Sequence, residues 1–174
     1  MSSGKNILEV RMKNNVTVRS MRQDDLSRLV AIWNEIVGDG VAFPQEDALT
    51  LESGKSFFES QSYVGVGELQ GKVVGLYVLH PNNVGRCGHL CNTSYAVTST
   101  ARGRGVGEAL VNDSLKKGKA LGFRILQFNA VVESNESARR LYHKLGFIQL
   151  GVIPGGFRMK DGHYENICPY YHLL

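Results

Sequence analysis

The amino-acid sequence predicts a mixed α/β fold, with one sheet that carries helices on both faces. Three observations predict this class. Several segments place apolar residues with helical spacing, short apolar stretches typical of strands lie between them, and glycines or polar turns separate the two kinds of segment. A chain of 174 residues is long enough for one substantial core. We therefore expect residues 1–174 to form a single domain, with residues 1–15 as a flexible or additional N-terminal segment.

The first part of the chain predicts one strand and two helices. Residues 16–20 alternate between apolar and polar types, as a strand does. The pair Asp24-Asp25 precedes a helix whose apolar residues share one face, and Gly38 is the predicted end of that helix. After a polar loop, a weaker helical pattern covers residues 51–60, with Thr50 as its candidate N-cap.

A hairpin and a further strand are predicted next. Strands over residues 62–69 and 72–80 flank Gln70-Gly71, a dipeptide typical of a tight hairpin turn. Another strand covers residues 88–97 and leads directly into the glycine-rich segment 102–107.

The rest of the chain predicts two helices and three strands. A long helix covers residues 105–121, and a strand of the continuous, buried kind covers residues 124–132. Asn135 is placed to cap a second helix, and the last strands are expected over residues 147–153 and 164–172. The whole pattern gives about seven strands and about four helices.

The net charge of +4 is unevenly distributed. Between Arg102 and Lys144 there are nine basic and four acidic residues, whereas the rest of the chain has eleven basic and twelve acidic ones. The excess lies in the segment that carries the glycines, which favours a polyanionic ligand there, with a solvated basic face as the alternative. Nucleic acid is not expected as a partner, since there is no known binding motif and no dense basic run.

The sequence favours neither a membrane protein nor a metal site. No stretch approaches the roughly 20 apolar residues of a membrane-spanning helix, and we find no signal-peptide core, so we expect a cytoplasmic protein. Cys87, His89 and Cys91 resemble a metal motif, but strand residues four apart are separated by about 13 Å, too far for one zinc ion. The three cysteines are expected to be reduced thiols.

The loop Arg102–Gly107 is the most informative segment. It combines three glycines and two arginines between an extended stretch, 95–97, and a helical pattern. Glycines let several backbone N–H groups approach one ligand, and the start of a helix adds a positive dipole end. These properties predict a cradle for a phosphate or pyrophosphate. The motif of P-loop nucleotide-binding proteins is missing, and the dinucleotide-binding motif fits poorly because the glycines follow the order Gly-x-Gly-x-Gly.

Two motifs together carry a family resemblance. The loop resembles the Arg/Gln-x-x-Gly-x-Gly/Ala signature of the GNAT acyl-CoA N-acyltransferases. Residues 135–147, Asn-Glu-Ser-Ala-Arg-Arg-Leu-Tyr-His-Lys-Leu-Gly-Phe, resemble the family's Asn-x-x-Ala…Tyr-x-x-x-Gly-Phe segment. The resemblance covers roughly residues 16–174 and is strongest over 90–153. It implies the GNAT fold, with a mostly antiparallel sheet that is splayed at the acetyl-CoA site.

The front half adds a finer resemblance. Ile32-Trp-Asn-Glu35, followed by Val41-Ala-Phe43, is similar to the corresponding pattern of the phosphinothricin-acetyltransferase-like branch.

The resemblance implies acetyl-CoA as the co-substrate and no metal. It places pantetheine in a gap between the strand that ends at Val97 and the strand over 124–132, with the Val97 N–H facing the thioester carbonyl. The residues expected to contact acetyl-CoA are Ala96, Val97, Arg102, Gly103, Arg104, Gly105, Val106, Gly107, Glu108, Asn135, Ala138 and Tyr142.

Tyr142 is the candidate general acid. A phenol, with an ordinary pKa of about 10, can protonate a leaving thiolate whose ordinary pKa is about 8.5. Periodicity alone favours core packing for Tyr142, since it lies on the apolar face of its helix. Asn135 has two interpretations as well, a helix N-cap and a contact to the CoA arm.

The general base is less well defined by the sequence. Many relatives carry a carboxylate on the strand before Val97, but here that strand offers only uncharged side chains such as Asn92 and Ser94. Three alternatives remain, Glu35, His89 and a water relay, of which we select Glu35. The residues expected at the acceptor site are Glu35, Phe43, Asn92 and Ser94.

These observations predict an enzyme that transfers an acetyl group from acetyl-CoA to a primary amine of a small molecule, by direct attack in a ternary complex. A homodimer is expected. The alternatives are a protein N-terminal or lysine acetyltransferase, and a non-catalytic acetyl-CoA-binding regulatory module.

Overall fold

The computed structural model describes residues 16–174, so the segment expected over residues 1–15 lies outside the described residues. The described part contains eight strands and four α-helices. In chain order they are β1 (Val16–Ser20), α1 (Leu26–Asp39), α2 (Leu51–Glu59), β2 (Tyr63–Leu69), β3 (Lys72–Pro81), β4 (Leu90–Val97), α3 (Val106–Ala120), β5 (Ile125–Val132), α4 (Glu136–Lys144), β6 (Ile148–Gln149), β7 (Ile153–Arg158) and β8 (Tyr164–Leu173).

All eight strands belong to one sheet, in the order β1-β2-β3-β4-β5-β8-β6, with β7 paired to β8. Only β4 and β5 are parallel among these pairs, and every other pair is antiparallel. The mixed α/β class is therefore as the sequence pattern predicts, and the mostly antiparallel sheet is as the family resemblance implies. No helix within residues 16–174 is long and apolar enough to cross a membrane.

Local signals set several boundaries as expected. The Thr50 hydroxyl accepts a hydrogen bond from the Ser53 N–H at 3.0 Å, which confirms it as the cap of α2. Gln70 and Gly71 both have positive φ, at 53° and 73°, the geometry of the tight turn that joins β2 to β3.

Two boundaries differ from the prediction. Helix α1 continues past Gly38 and ends at Gly40, whose φ of 67° supplies the left-handed cap while its N–H donates to the Val37 carbonyl. The strand expected over residues 147–153 is interrupted, because the middle of that segment faces Pro169 on β8. Pro169 has no N–H to donate, so the Leu150 N–H donates to the Pro169 carbonyl at 2.8 Å but Pro169 cannot return a hydrogen bond. This interruption gives eight strands where seven were expected.

The core has two main layers, one on each face of the sheet. Helices α1 and α2 cover one face, where Trp33 is 1% exposed and its ring centroid lies 4.4 Å from that of Phe43. Helix α3, with residues of α4, covers the other face. The contact between Trp33 and Phe43 fixes the loop after α1 against the sheet, next to the site described below.

Candidate active site

Strands β4 and β5 separate from one another in the middle of the sheet. They pair only at Leu90 with Ile125 and at Cys91 with Leu126. Beyond these pairs, β4 continues to Val97 and β5 to Val132 without pairing to each other. The splayed gap that the family resemblance implies is therefore present.

The glycine loop lies at the end of β4. Gly103 and Gly105 have φ values of 71° and 83°, a backbone conformation that favours glycine. A Cβ atom added at either position would meet nothing within 4 Å, so the space above the loop is open. Within residues 16–174, the backbone N–H groups of Gly103 and Gly105 form no hydrogen bond. The loop thus presents free donors at the start of α3, as an anion site requires.

A cavity of 930 Å³ connects the loop with the gap between the strands. It extends to both faces of the sheet, since Ile36 and Phe43 line one end and Val111 and Leu141 line the other. Most of the residues predicted for the site line it, namely Phe43, Asn92, Ser94, Val97, Arg102, Gly103, Gly105, Val106, Gly107, Glu108, Asn135, Ala138 and Tyr142.

Four candidates lie outside the lining of this cavity. Ala96 is fully buried in the core beneath α1, and the Arg104 residue is exposed on the loop. His89, one of the alternative bases, is exposed just before β4. Glu35 lies on α1 and is also absent from the cavity wall.

The Glu35 carboxylate is engaged by the backbone that leads into the glycine loop. It accepts a hydrogen bond from the Ser99 N–H at 2.7 Å and another from the Thr98 hydroxyl at 2.8 Å. Both bonds lower the pKa of Glu35 below its ordinary value, and the bond from the Ser99 N–H has the larger effect. A carboxylate with both oxygens occupied and a lowered pKa is a weaker base, so this geometry favours a positioning role for Glu35.

A second link joins α1 to the loop one helical turn later. The Arg102 guanidinium lies 3.1 Å from the Asp39 carboxylate, and both side chains are about half exposed. On α3, the Glu108 carboxylate is paired with Lys144 at 2.7 Å. Both carboxylates at the loop end of the cavity therefore already have cationic partners.

The backbone of Val97 faces the gap. The next residue, Thr98, donates its N–H to the Val74 carbonyl on the β3 side at 2.9 Å. Because N–H groups alternate in direction along a strand, the Val97 N–H points away from β3 and toward β5. This is the orientation that the predicted role in carbonyl stabilisation requires.

Two tyrosines line the cavity, and their hydroxyl groups differ. Tyr95 is fully engaged, because its hydroxyl accepts from Thr93 at 2.8 Å and bonds Ser114 at 2.7 Å. Ser114 in turn donates to the Val111 carbonyl. For Tyr142, no hydrogen bond to the hydroxyl is found within the described residues. Tyr142 is thus the tyrosine whose hydroxyl is available to a ligand.

Aromatic packing holds the Tyr142 ring. Its centroid lies 4.4 Å from that of Phe128 on β5 and 5.5 Å from that of Phe147. Burial raises the pKa of Tyr142, so the hydroxyl stays protonated at neutral pH, the state that a proton donor needs. The ring thus packs against the core, as the periodicity indicates, and the residue also lines the cavity, so core packing does not remove it from the candidate site.

Asn135 acts as the N-cap of α4. Its Oδ1 accepts a hydrogen bond from the Ala138 N–H at 3.3 Å. Because Asn135 and Ala138 also line the cavity, the cap does not remove them from the proposed CoA contact.

Side-chain amides gather where β4 and β5 separate. Asn92 on β4 and Asn129 on β5 both donate to the Asn82 Oδ1, at 3.3 and 2.7 Å, and Asn82 donates back to the Asn129 Oδ1 at 3.1 Å. The sequence indicates Asn92 as a site residue but carries no signal for Asn82 and Asn129. Asn82 directly follows β3, whereas Asn92 and Asn129 lie within β4 and β5, and only the side-by-side arrangement of these three strands brings the amides together.

His80 is a further cavity residue for which the sequence carries no signal. It lies on β3 directly opposite Asn92 and lines the cavity. Side chains alternate along a strand, so His80 shares a face with Val78, which packs in the core beneath α1. This places His80, Asn92 and Phe43 on the same side of the sheet.

Comparisons with family models, curated proteins and solved structures all indicate the same family. The family model described as "Acetyltransferase (GNAT) family" matches residues 24–147. The N-acetyltransferase aca1 of Schizosaccharomyces pombe is 32% identical over 171 residues, which cover 87% of this chain and 82% of that protein.

Solved structures are similar over nearly the same length. A GCN5-related N-acetyltransferase from Kribbella flavida is 32% identical and superimposes with a TM-score of 0.84, covering 91% of this chain and 98% of that one. A phosphinothricin acetyltransferase from Sinorhizobium meliloti, determined in complex with acetyl-CoA, has the same fold at 24% identity. Its TM-score is 0.84, with 91% of this chain and 88% of that chain covered.

Proposed function

The chain belongs to the GNAT family of acetyltransferases, and on that premise we propose that it transfers an acetyl group from acetyl-CoA to the primary amine of a small molecule. The observation that carries this proposal is the continuous cavity from the glycine loop through the gap between β4 and β5. One end has the features of a phosphate site, and the other has neutral polar and aromatic side chains.

The residues present fit acetyl-CoA. The free N–H groups of Gly103 and Gly105 and the start of α3 suit its pyrophosphate, and Arg102 adds a positive charge. The gap between β4 and β5 leaves unpaired backbone along Val97, which suits the amide groups of a pantetheine arm. When bound, acetyl-CoA supplies a thioester whose carbonyl carbon accepts the amine.

Two groups of the chain would then act on the reacting atoms. The Val97 N–H points into the gap and stabilises negative charge that develops on the carbonyl oxygen. The Tyr142 hydroxyl, free of other hydrogen bonds among the described residues, donates its proton to the departing sulfur. Residues predicted for both substrates line the same cavity, which supports direct attack in a ternary complex.

The acceptor end favours an amino-acid-like amine over a polycation. Phe43, His80, Asn92, Ser94 and Asn129 line it, and none of these side chains carries a negative charge. A polyamine or aminoglycoside needs several carboxylates to neutralise it, whereas amide and hydroxyl groups can bind both an amine and a carboxylate.

A thiol-release screen tests the proposal. Acetyl-CoA is offered with amino acids and phosphinothricin, with polyamines and aminoglycosides, and with peptides, and CoA release is followed for each acceptor. We expect turnover with an amino-acid-like compound. Turnover confined to peptides would favour a protein acetyltransferase, and acetyl-CoA binding by calorimetry without release from any amine would favour a regulatory module.

We also propose a homodimer in the cytoplasm. Strand β6 is at one edge of the sheet, and the stretch from β6 to the start of β7 exposes several apolar side chains, Ile148, Leu150, Val152 and Ile153. An apolar patch of this kind is suited to self-association. The three cysteines are free thiols, which supports a reducing compartment.

A further inference from the structure

We propose that His80 is the general base that accepts a proton from the acceptor amine, an inference that rests on the acetyl transfer proposed above. His80 is half-buried on β3 and lines the cavity at its acceptor end. Its cross-strand neighbour is Asn92, which is linked to Asn82 and through it to Asn129 on β5. The ring therefore stands beside the point at which the two strands open.

The other titratable groups of the cavity are less suited to this task. Six such side chains line it within the described residues, namely Asp39, His80, Tyr95, Arg102, Glu108 and Tyr142. Asp39 is paired with Arg102 and Glu108 with Lys144, and both pairs lie near the glycine loop. The tyrosines and the arginine are protonated at neutral pH. Imidazole is the side chain whose ordinary pKa, about 6.5, suits proton acceptance there.

A backbone contact sets the tautomer of His80. Its Nδ1 lies 2.9 Å from the Pro81 carbonyl oxygen. A carbonyl oxygen can only accept, so Nδ1 must carry the proton in this bond. In the neutral ring, the Nε2 atom consequently keeps its lone pair, and no hydrogen bond to Nε2 is found among residues 16–174. This is the arrangement of a base that is oriented by its second nitrogen.

Acetyl transfer to an ammonium group removes two protons from the substrate nitrogen. His80 Nε2 takes one proton from the substrate ammonium group, and the nitrogen lone pair thus freed forms the N–C bond to the acetyl carbon. The C–S bond breaks, and the sulfur receives the Tyr142 proton. The second nitrogen proton passes to water as the amide forms, and water reprotonates Tyr142. His80 then releases its proton to solvent, so each turnover liberates one proton.

Two variants test the assignment. His80→Asn places an amide N–H near the Nδ1 position, which retains a donor for Pro81, and removes the basic nitrogen. His80→Gln places an amide group near the Nε2 position without its basicity. With phosphinothricin as the acceptor, both are expected to lower kcat/KM at pH 7.5 by about 10²- to 10⁴-fold. Acetyl-CoA affinity, measured by calorimetry, should stay unchanged because the glycine loop is intact.

The pH profile separates a base from a merely structural residue. Protonation of His80 should give the wild type an acidic limb of slope one in log kcat/KM. In both variants that limb should disappear. Instead, log kcat/KM should rise with pH in proportion to the fraction of phosphinothricin whose amine is unprotonated, up to the pKa of that amine. An unchanged profile in His80→Asn would overturn the proposal, and so would loss of the limb in His89→Gln, which removes the competing histidine.

A readout without acceptor separates this inference from the proposed function. Nuclear magnetic resonance of the labelled His80 ring should show the proton on Nδ1, and a proton on Nε2 in the neutral ring would refute the assignment. Absence of thiol release from the wild type with every amine would refute both proposals. Normal turnover in His80→Asn would refute only the role of His80.

Discussion

Glu35 accepts two hydrogen bonds from the segment before the glycine loop, so its replacement can distinguish a positioning role from a catalytic one. Glu35→Ala removes the acceptor for the Ser99 N–H at 2.7 Å and for the Thr98 hydroxyl at 2.8 Å. Hydrogen bonds to a charged group contribute roughly 1.5–3 kcal/mol each. Thr98 is buried, but water can reach the exposed Ser99 N–H and replace part of the loss. We therefore expect the free energy of unfolding to fall by about 2–4 kcal/mol, and by about half as much in Glu35→Gln, which retains neutral bonds.

The pH dependence of this loss has a defined sign. The pKa of Glu35 is lowered in the folded protein, so its contribution to stability is fully present above the ordinary value of 4.5. It disappears as the pH falls through the lower folded pKa. The difference in unfolding free energy between wild type and variant should thus be constant near neutral pH and shrink in acid. Urea unfolding at several pH values measures this directly.

Kinetics then distinguish positioning from catalysis. If Glu35 holds the backbone before the glycine loop, Glu35→Gln should raise KM for acetyl-CoA several-fold and keep the acidic limb of the pH profile. If Glu35 is the base, kcat should fall by about 10²- to 10⁴-fold with little change in stability. Glu59→Gln is the matched control, because among residues 16–174 the Glu59 carboxylate forms only an exposed pair with Lys55 at 3.9 Å. A change in unfolding free energy below about 0.5 kcal/mol in Glu35→Ala would refute the reasoning.

Tyr142, Gly105 and Leu150 each allow a further test of the geometry. Tyr142→Phe should lower kcat by about 10²- to 10⁴-fold with an unchanged KM for acetyl-CoA, and a steady-state assay that finds normal kcat would exclude Tyr142 as the acid. Gly105→Ala places a Cβ at a φ of 83°, so we expect the free energy of unfolding to fall by about 1–2 kcal/mol and acetyl-CoA to bind more weakly. Thermal unfolding with and without acetyl-CoA measures both effects. Leu150→Asp should convert the proposed dimer to a monomer in sedimentation experiments, whereas a monomeric wild type would contradict the proposed dimer.

The sequence predicted the architecture well because local signals set most of its elements. The hairpin turn at Gln70-Gly71 and the caps Thr50 and Asn135 act through neighbouring backbone groups, so a single sequence reveals them. Where the prediction differed, the reason was a partner from a distant segment. Residues 147–153 form an apolar stretch typical of one strand, but Pro169 on β8 interrupts their pairing.

For the candidate site, the sequence alone was enough to predict the family, the loop Arg102–Gly107 and the motif that contains Tyr142. The chemistry of these features lies in glycine conformation, helix-start donors and short spacing, all of which are local. The tertiary structure decided which side chains are free to act. It occupies Glu35 with Thr98 and Ser99, and it brings His80 opposite Asn92 at the opening between β4 and β5. Strand register and hydrogen-bond partners join residues far apart in the chain, and this is why spacing alone could not rank the candidate bases.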